Sequence, residues 1–271
     1  MERLRHTRTR ASVGFTLVEL LVVMGIIGLL VGLLMPAVQR AIIAARVGRT
    51  KAIIQSLSVG LEAFKADWGV YPPSDNGGDD DLEGASSNWT GAPLMGYALM
   101  GPDGKGWGVR AADQSGGSSD WVLPFGGQAR KAYGPYFTQE SGDTLAIRDA
   151  FPTFGESVGL ILYYRFDPRG TSGESDLYGN YEHDDNPAGA GDWRDYKGFN
   201  DRNHFLLSVR YEDMNRVSRW QREDYLLISP GPDRYYGHVY FDPRNPDVVR
   251  AATQNDAESG KAVYDDVTNF L

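Results

Sequence analysis

The chain has 271 residues, with 27 Lys and Arg against 36 Asp and Glu, a formal charge of −9, and no cysteine. That length suits one large or two small domains, and the missing cysteines exclude disulfides and thiolate metal sites. An acidic chain rich in Gly, Trp and Tyr lacks the basic face that nucleic-acid binding needs, so no nucleic-acid partner is expected.

Residues 1–14 read as a short basic leader, Arg3, Arg5, Arg8 and Arg10 against Glu2, a net +3 whose removal leaves the chain at −12. Basic flanks stay on the cytoplasmic side, so the body is expected across the membrane. Phe15–Val38 follows, twenty-four residues with one charge, Glu19. As a helix this roughly matches a hydrocarbon core of about 30 Å. A secretory signal has a shorter apolar region, of about 7–15 residues, and a small residue after it; here the small residue, Gly14, comes first. Glu19 lies about one turn into the span. A carboxylate there costs about 2.5–3.5 kcal/mol at mid-membrane and less near the surface. A plain anchor gains nothing from such an acid; a subunit whose acid meets a positive charge on assembly does. Gly25, Gly28 and Gly32 give small faces for close helix approach, and Pro36 is expected to kink the helix.

Gly14, Phe15, Thr16, Leu17, Val18 and Glu19, followed by an apolar helix with Pro36, together resemble the type IV pilin and pseudopilin signature. The resemblance covers about 30 of the 271 residues. It implies that a prepilin peptidase cuts after Gly14 and methylates the new amino terminus of Phe15. It also implies that Glu19 meets a neighbour's terminal amine during assembly.

Beyond Arg40 the pattern turns amphipathic. Val47, Ile54, Leu57, Leu61, Phe64 and Trp68 follow at spacings of 7, 3, 4, 3 and 4 among Arg46, Arg49, Lys51, Gln55, Glu62 and Lys65, which is the helical period. The stripe is expected to pack on this chain's own sheet, as in the pilin fold; a partner helix is the alternative. Gly69 and the pair Pro72–Pro73 mark the stop, and FKADWGVYPP resembles the family's segment after its long helix. One helix of about 55 residues, near 80 Å if straight, then serves as anchor and core wall. The expected organisation is leader 1–14, membrane and assembly half-helix 15–40, amphipathic half-helix 41–70, and globular domain 71–271. The fold class is α+β: a pilin-like long N-terminal helix on a small, mainly antiparallel sheet with long loop insertions.

Residues 74–130 are Gly/Ser/Asp-rich and read as an elaborated surface, with a short helix at Pro93–Met100. Trp89, Trp107, Trp121 and Phe125 are expected to pin it down. Strand candidates are Val158–Phe166, Phe205–Tyr211 and Tyr225–Ser229, short β-branched and aromatic runs bounded by turn residues. AYGPYF and DAFPTFG read as extended pieces. Residues 171–203 are a second polar tract, and Val239–Leu271 mixes turns with a final VYDDVTNFL.

The best ligand pattern is Ser229-Pro230-Gly231-Pro232-Asp233 with Asp265-Asp266 about thirty residues later. Hard cations take six to eight oxygens from carboxylates, hydroxyls and bent backbone; turn acids that bond their own backbone are the alternative. DYLLISPGPDRYYG…YDDVTNF resembles the C-terminal loop of the major pseudopilin of type II secretion systems, which binds calcium. Carried over, that resemblance implies Ca²⁺ ligands at Ser229, Asp233, Asp265 and Asp266. The long stretch between the two parts departs from the family's short Gly-rich one.

No catalytic machinery is expected. His183 in Glu182-His183-Asp184-Asp185 has no second histidine at helical spacing, and His6, His204 and His238 belong to no motif. H-E-x-x-H and a phosphate-binding glycine loop are both missing from the sequence. The reading is a structural subunit of a type II secretion pseudopilus in the inner membrane, its body in the periplasm. Its expected partners are copies of itself, other pseudopilins, the prepilin peptidase and an inner-membrane assembly platform. The alternatives are a type IV pilus or minor tip subunit with partner-binding insertions, and a membrane-anchored envelope enzyme or carbohydrate-binding module.

Overall fold

The computed structural model describes residues 16–74, 81–86, 89–108, 123–127, 131–139, 147–151, 159–166, 224–232, 235–236, 239–241, 249–251, 262–263 and 266–268. The strand candidate Phe205–Tyr211, Trp121 and all four histidines lie outside them. The chain divides into two units, residues 1–45 and 46–271. The described elements form an α+β layout of one long helix, one short helix and small antiparallel sheets.

Helix α1 runs Leu17–Trp68, 52 residues, with Pro36 inside it. Gly69 ends it at φ 81, in the left-handed region where glycine has no Cβ penalty. In the first unit its apolar side chains are exposed, from Leu17 at 79% to Ile43 at 43%. Its most apolar window is long and apolar enough to cross a membrane. In the second unit the stripe of Ile54, Leu57, Leu61 and Phe64 is buried, flanked by half-buried Val47 and Trp68. Two polar or small positions share that buried face. Thr50 is fully buried, and its Oγ1 accepts from the Ala150 N–H at 3.1 Å. Gly60 lets the Tyr136 carbonyl approach so closely that a Cβ would sit 2.8 Å from its oxygen.

Helix α2, Ala92–Met100, is buried at every residue. Pro at its first turn suits the free N–H positions there. Trp107, 1% exposed, donates its indole N–H to the Ala98 carbonyl at 2.7 Å and sits edge-on to Tyr97. Trp89 packs against the core, half-buried. Phe125 stays at the rim, 36% exposed, with its edge on Phe64.

Strand β1, Trp107–Gly108, pairs with β2, Ala132–Tyr133. The central sheet has the order β3-β4-β8, with β3 at Leu162–Arg165, β4 at Tyr225–Ser229 and β8 at Val267–Thr268. Its strands are all antiparallel, with Leu162 opposite Ile228 and Ser229 opposite Val267. Tyr163, Tyr225, Leu227 and Val267 belong to the same core cluster as the α1 stripe. In a third sheet β5, Val239–Phe241, lies between β6, Val249–Ala251, and β7, Ala262–Val263. The candidate strand Val158–Phe166 is shorter than expected. Before β3, residue 160 bridges Arg148, and the Ile161 N–H donates to the Ile147 carbonyl, so the segment changes partners midway.

Two tyrosines tie the far end of α1 to carboxylates. Tyr71 donates to Glu62 at 2.8 Å; Tyr136 donates to Asp67 at 3.0 Å and accepts from the Trp68 indole at 2.9 Å. Burial first, and then the bonded carboxylate, pushes both phenols above their ordinary value of 10.0. A raised folded value stabilises below the unfolded pKa and is lost as pH rises past it. The melting temperature is therefore expected to fall as pH climbs above about 10. The double substitution Tyr71→Phe with Tyr136→Phe flattens that fall, measured by thermal melts from pH 8 to 11.

Candidate functional site

Two regions carry the predicted site residues. The first is the start of α1. Gly14 and Phe15 lie outside the described residues, and Glu19 stands in the first turn of α1. Its Oε2 accepts from the Thr16 N–H at 2.9 Å and the Thr16 hydroxyl at 2.7 Å, while the Glu19 N–H donates to Thr16 Oγ1 at 3.2 Å. This is a capping box, in which the side chains at the two ends of a T-x-x-E step satisfy each other's backbone N–H groups. The negative charge also complements the helix dipole at its N-terminus. Sequence reasoning gave Glu19 an assembly role and missed its cap, although the T-x-x-E spacing was there to read. Oε2 accepts both bonds that Thr16 donates, and the third bond runs the other way, from the Glu19 N–H to Thr16 Oγ1.

The second region surrounds the end of β4. Ser229 is fully buried. It donates to Asp149 Oδ2 at 2.9 Å, and its oxygen lies 3.4 Å from the Gly231 N–H. Asp149, 8% exposed, also accepts the Phe151 N–H on Oδ1 at 3.0 Å. Asp266, 8% exposed, immediately precedes β8; since Val267 faces Ser229 across the ladder, Asp266 is one step from that pair. Asp233 and Asp265 lie outside the described residues. The sheet thus places Asp266 next to the residue that pairs with Ser229, although thirty-six residues lie between Ser229 and Asp266 in the sequence.

Asp149 is the member that sequence reasoning missed. It sits eighty residues before Ser229, in a stretch that reads only as extended. It is delivered by the pairing of residues 147–149 with 159–161. Among the described residues no group of three or more His, Cys, Asp or Glu gathers as a metal cluster. The donors present are a buried hydroxyl and buried carboxylates, the hard oxygens that Ca²⁺ prefers. Thr268 Oγ1, also buried, meets no hydrogen-bond partner among the described residues. In chemistry, then, the donor set fits a hard cation.

Elsewhere, Lys65 holds the Asp224 carboxyl below its usual range through a 3.0 Å bond on the protein surface. Such exposed pairs contribute at most about 1 kcal/mol. No family model, curated relative or solved structure matches the chain.

Proposed function

We propose that the chain is a filament subunit of the pilin class, most specifically a structural pseudopilin of a type II secretion system, and not an enzyme. The observation that carries this reading is the division of α1. Its first half exposes an unbroken apolar surface with a single capped acid, and its second half is buried on one stripe in an α+β body. A helix that served only as an anchor would need neither the acid nor the buried continuation. The apolar halves of several copies bundle together, and Glu19 meets the amine of a neighbouring Phe15. The heterologous contacts that result do not close, and so they build a helical filament. Before assembly the chain waits in the inner membrane with its body in the periplasm, where the peptidase and the assembly platform meet it.

The same reading puts a calcium ion between the Ser229–Asp233 turn and Asp265–Asp266. It is supported by the burial of Ser229, Asp149 and Asp266 around the end of β4. When bound, the ion would neutralise carboxylates that the acidic body otherwise holds close, fixing the C-terminal segment on the central sheet.

The decisive experiment is the N-terminal mass of the protein taken from its own cell envelope. A chain that begins at N-methylated Phe15 is expected. A chain that begins at Met1, or is cut after the apolar run, overturns the filament reading.

A further inference from the structure

Three cations on α1 take part in no ion pair among the described residues. Arg46 is half-buried and Arg49 and Lys51 are exposed, and the ion pairs found are Lys65–Asp224 and Lys105–Asp103. Together with Arg40 they are the only charges between Leu20 and Leu61, a stretch of forty-two residues with four cations and no acid. Residues 62–271 are the opposite, with 19 Lys and Arg against 34 Asp and Glu, a net −15. At about 100° per residue, Arg46 and Arg49 stand on one flank of the buried stripe and Arg40 and Lys51 on the other. The cations therefore ring the helix as a collar beside the stripe that packs into the core.

Chains that each carry a net negative charge repel on stacking. A filament of them needs that repulsion offset at each repeated contact, and the collar is the one stretch of α1 whose charge suits the task. We propose that the collar at Arg46, Arg49 and Lys51 docks on Asp81 and Glu83 of a neighbouring copy. This rests on the filament reading above. In the sequence these two acids close the tract Asp-Asp-Asp-Leu-Glu, four acids in five residues. Leu82 is buried in the core, and Asp81 and Glu83 on either side of it are exposed. The Glu83 N–H is held by the Pro124 carbonyl at 2.8 Å, and the next residue, Phe125, packs on Phe64 of α1. Phe64 lies 13 to 18 residues past the collar, about 20–27 Å of helix rise. A parallel copy shifted by about that length brings its collar level with the tract.

Anionic lipid headgroups are the rival partner for a basic segment beside a span. Arg49 and Lys51 come eleven and thirteen residues after Val38. That is about 16–20 Å of rise, beyond an interfacial layer only about 5–8 Å deep. The observations therefore favour the neighbouring copy.

The test uses the full chain in its own membrane. The triple variant R46E, R49E and K51E is expected to keep cleavage at Gly14, insertion and the wild-type melting temperature, while filament yield falls about tenfold or more. Adding D81K and E83K restores assembly. Because the chain has no cysteine of its own, R49C with E83C gives disulfide-linked dimers and ladders that neither single variant gives. Normal filaments from the triple variant overturn the proposal. So does a loss that D81K and E83K fail to rescue, which would assign the collar to lipid or another partner. A wild-type chain that is not cleaved after Gly14 and makes no filament is a different failure, that of the filament reading itself.

Discussion

Filament yield is expected to fall about a hundredfold in Glu19→Gln, with membrane insertion unchanged. The capping box explains why glutamine is the informative replacement. Glu and Gln both cap from this position, so the bonds to Thr16 survive and only the charge goes. If the charge meets a neighbour's Phe15 amine in the filament core, the variant leaves that ammonium buried and unpaired, at a cost of about 3–5 kcal/mol per contact. Each 1.4 kcal/mol is about tenfold in an equilibrium constant, so two orders of magnitude follow at the low end. Glu19→Ala loses the same interaction and also the cap, a further cost of about 1 kcal/mol. Sedimented or sheared filament, normalised to processed subunit in the membrane, reads both variants. Normal yield from Glu19→Gln would leave Glu19 as a helix cap and remove its ionic role in assembly. Thr16→Val gives the complementary result, a loosened helix start with the charge intact.

Parts of this architecture were legible in the sequence because one-dimensional patterns coincide with the structure there. The 3–4 spacing of Ile54, Leu57, Leu61 and Phe64 marks the buried face of α1, and Gly69 marks its end. Tyr225–Ser229 is a run of five bounded by a Pro-Gly-Pro turn, and it forms β4 with those limits. Other parts depend on contacts that no local pattern encodes. Thr50 is buried because the Ala150 amide needs its hydroxyl, and Gly60 is there because Tyr136 backbone passes over it. Neither residue looks like core in a hydrophobicity pattern. Strands of two or three residues, such as β5 to β7, are too short for a two-residue period to show, so residues 239–263 read as turns. The apolar run before β3 looks like one strand from the sequence but serves two partners, residues 147–149 first and β4 afterwards.

Asp149→Ala is expected to lower stability by about 3 kcal/mol, measured by urea denaturation. Its carboxylate accepts from Ser229 and from the Phe151 amide at 8% exposure. Removing it leaves two buried donors without an acceptor, and hydrogen bonds to charged groups are worth about 1.5–3 kcal/mol each. The effect falls where the calcium reading puts the ion, and the two contributions separate in one experiment. A ligand bound only by the folded state adds about 2.7 kcal/mol at a hundred times its dissociation constant. The wild-type chain should then gain that increment with calcium and lose it with chelator. Asp266→Asn, which removes one charge and leaves Asp149 in place, should gain little from added calcium whatever its starting stability. Asp149→Ala should start low in either condition. If calcium and chelator leave the wild-type melt unchanged, Ser229 and Asp149 are a purely structural pair. The buried carboxylate is then explained by the two donors it satisfies, and the end of β4 needs no ion.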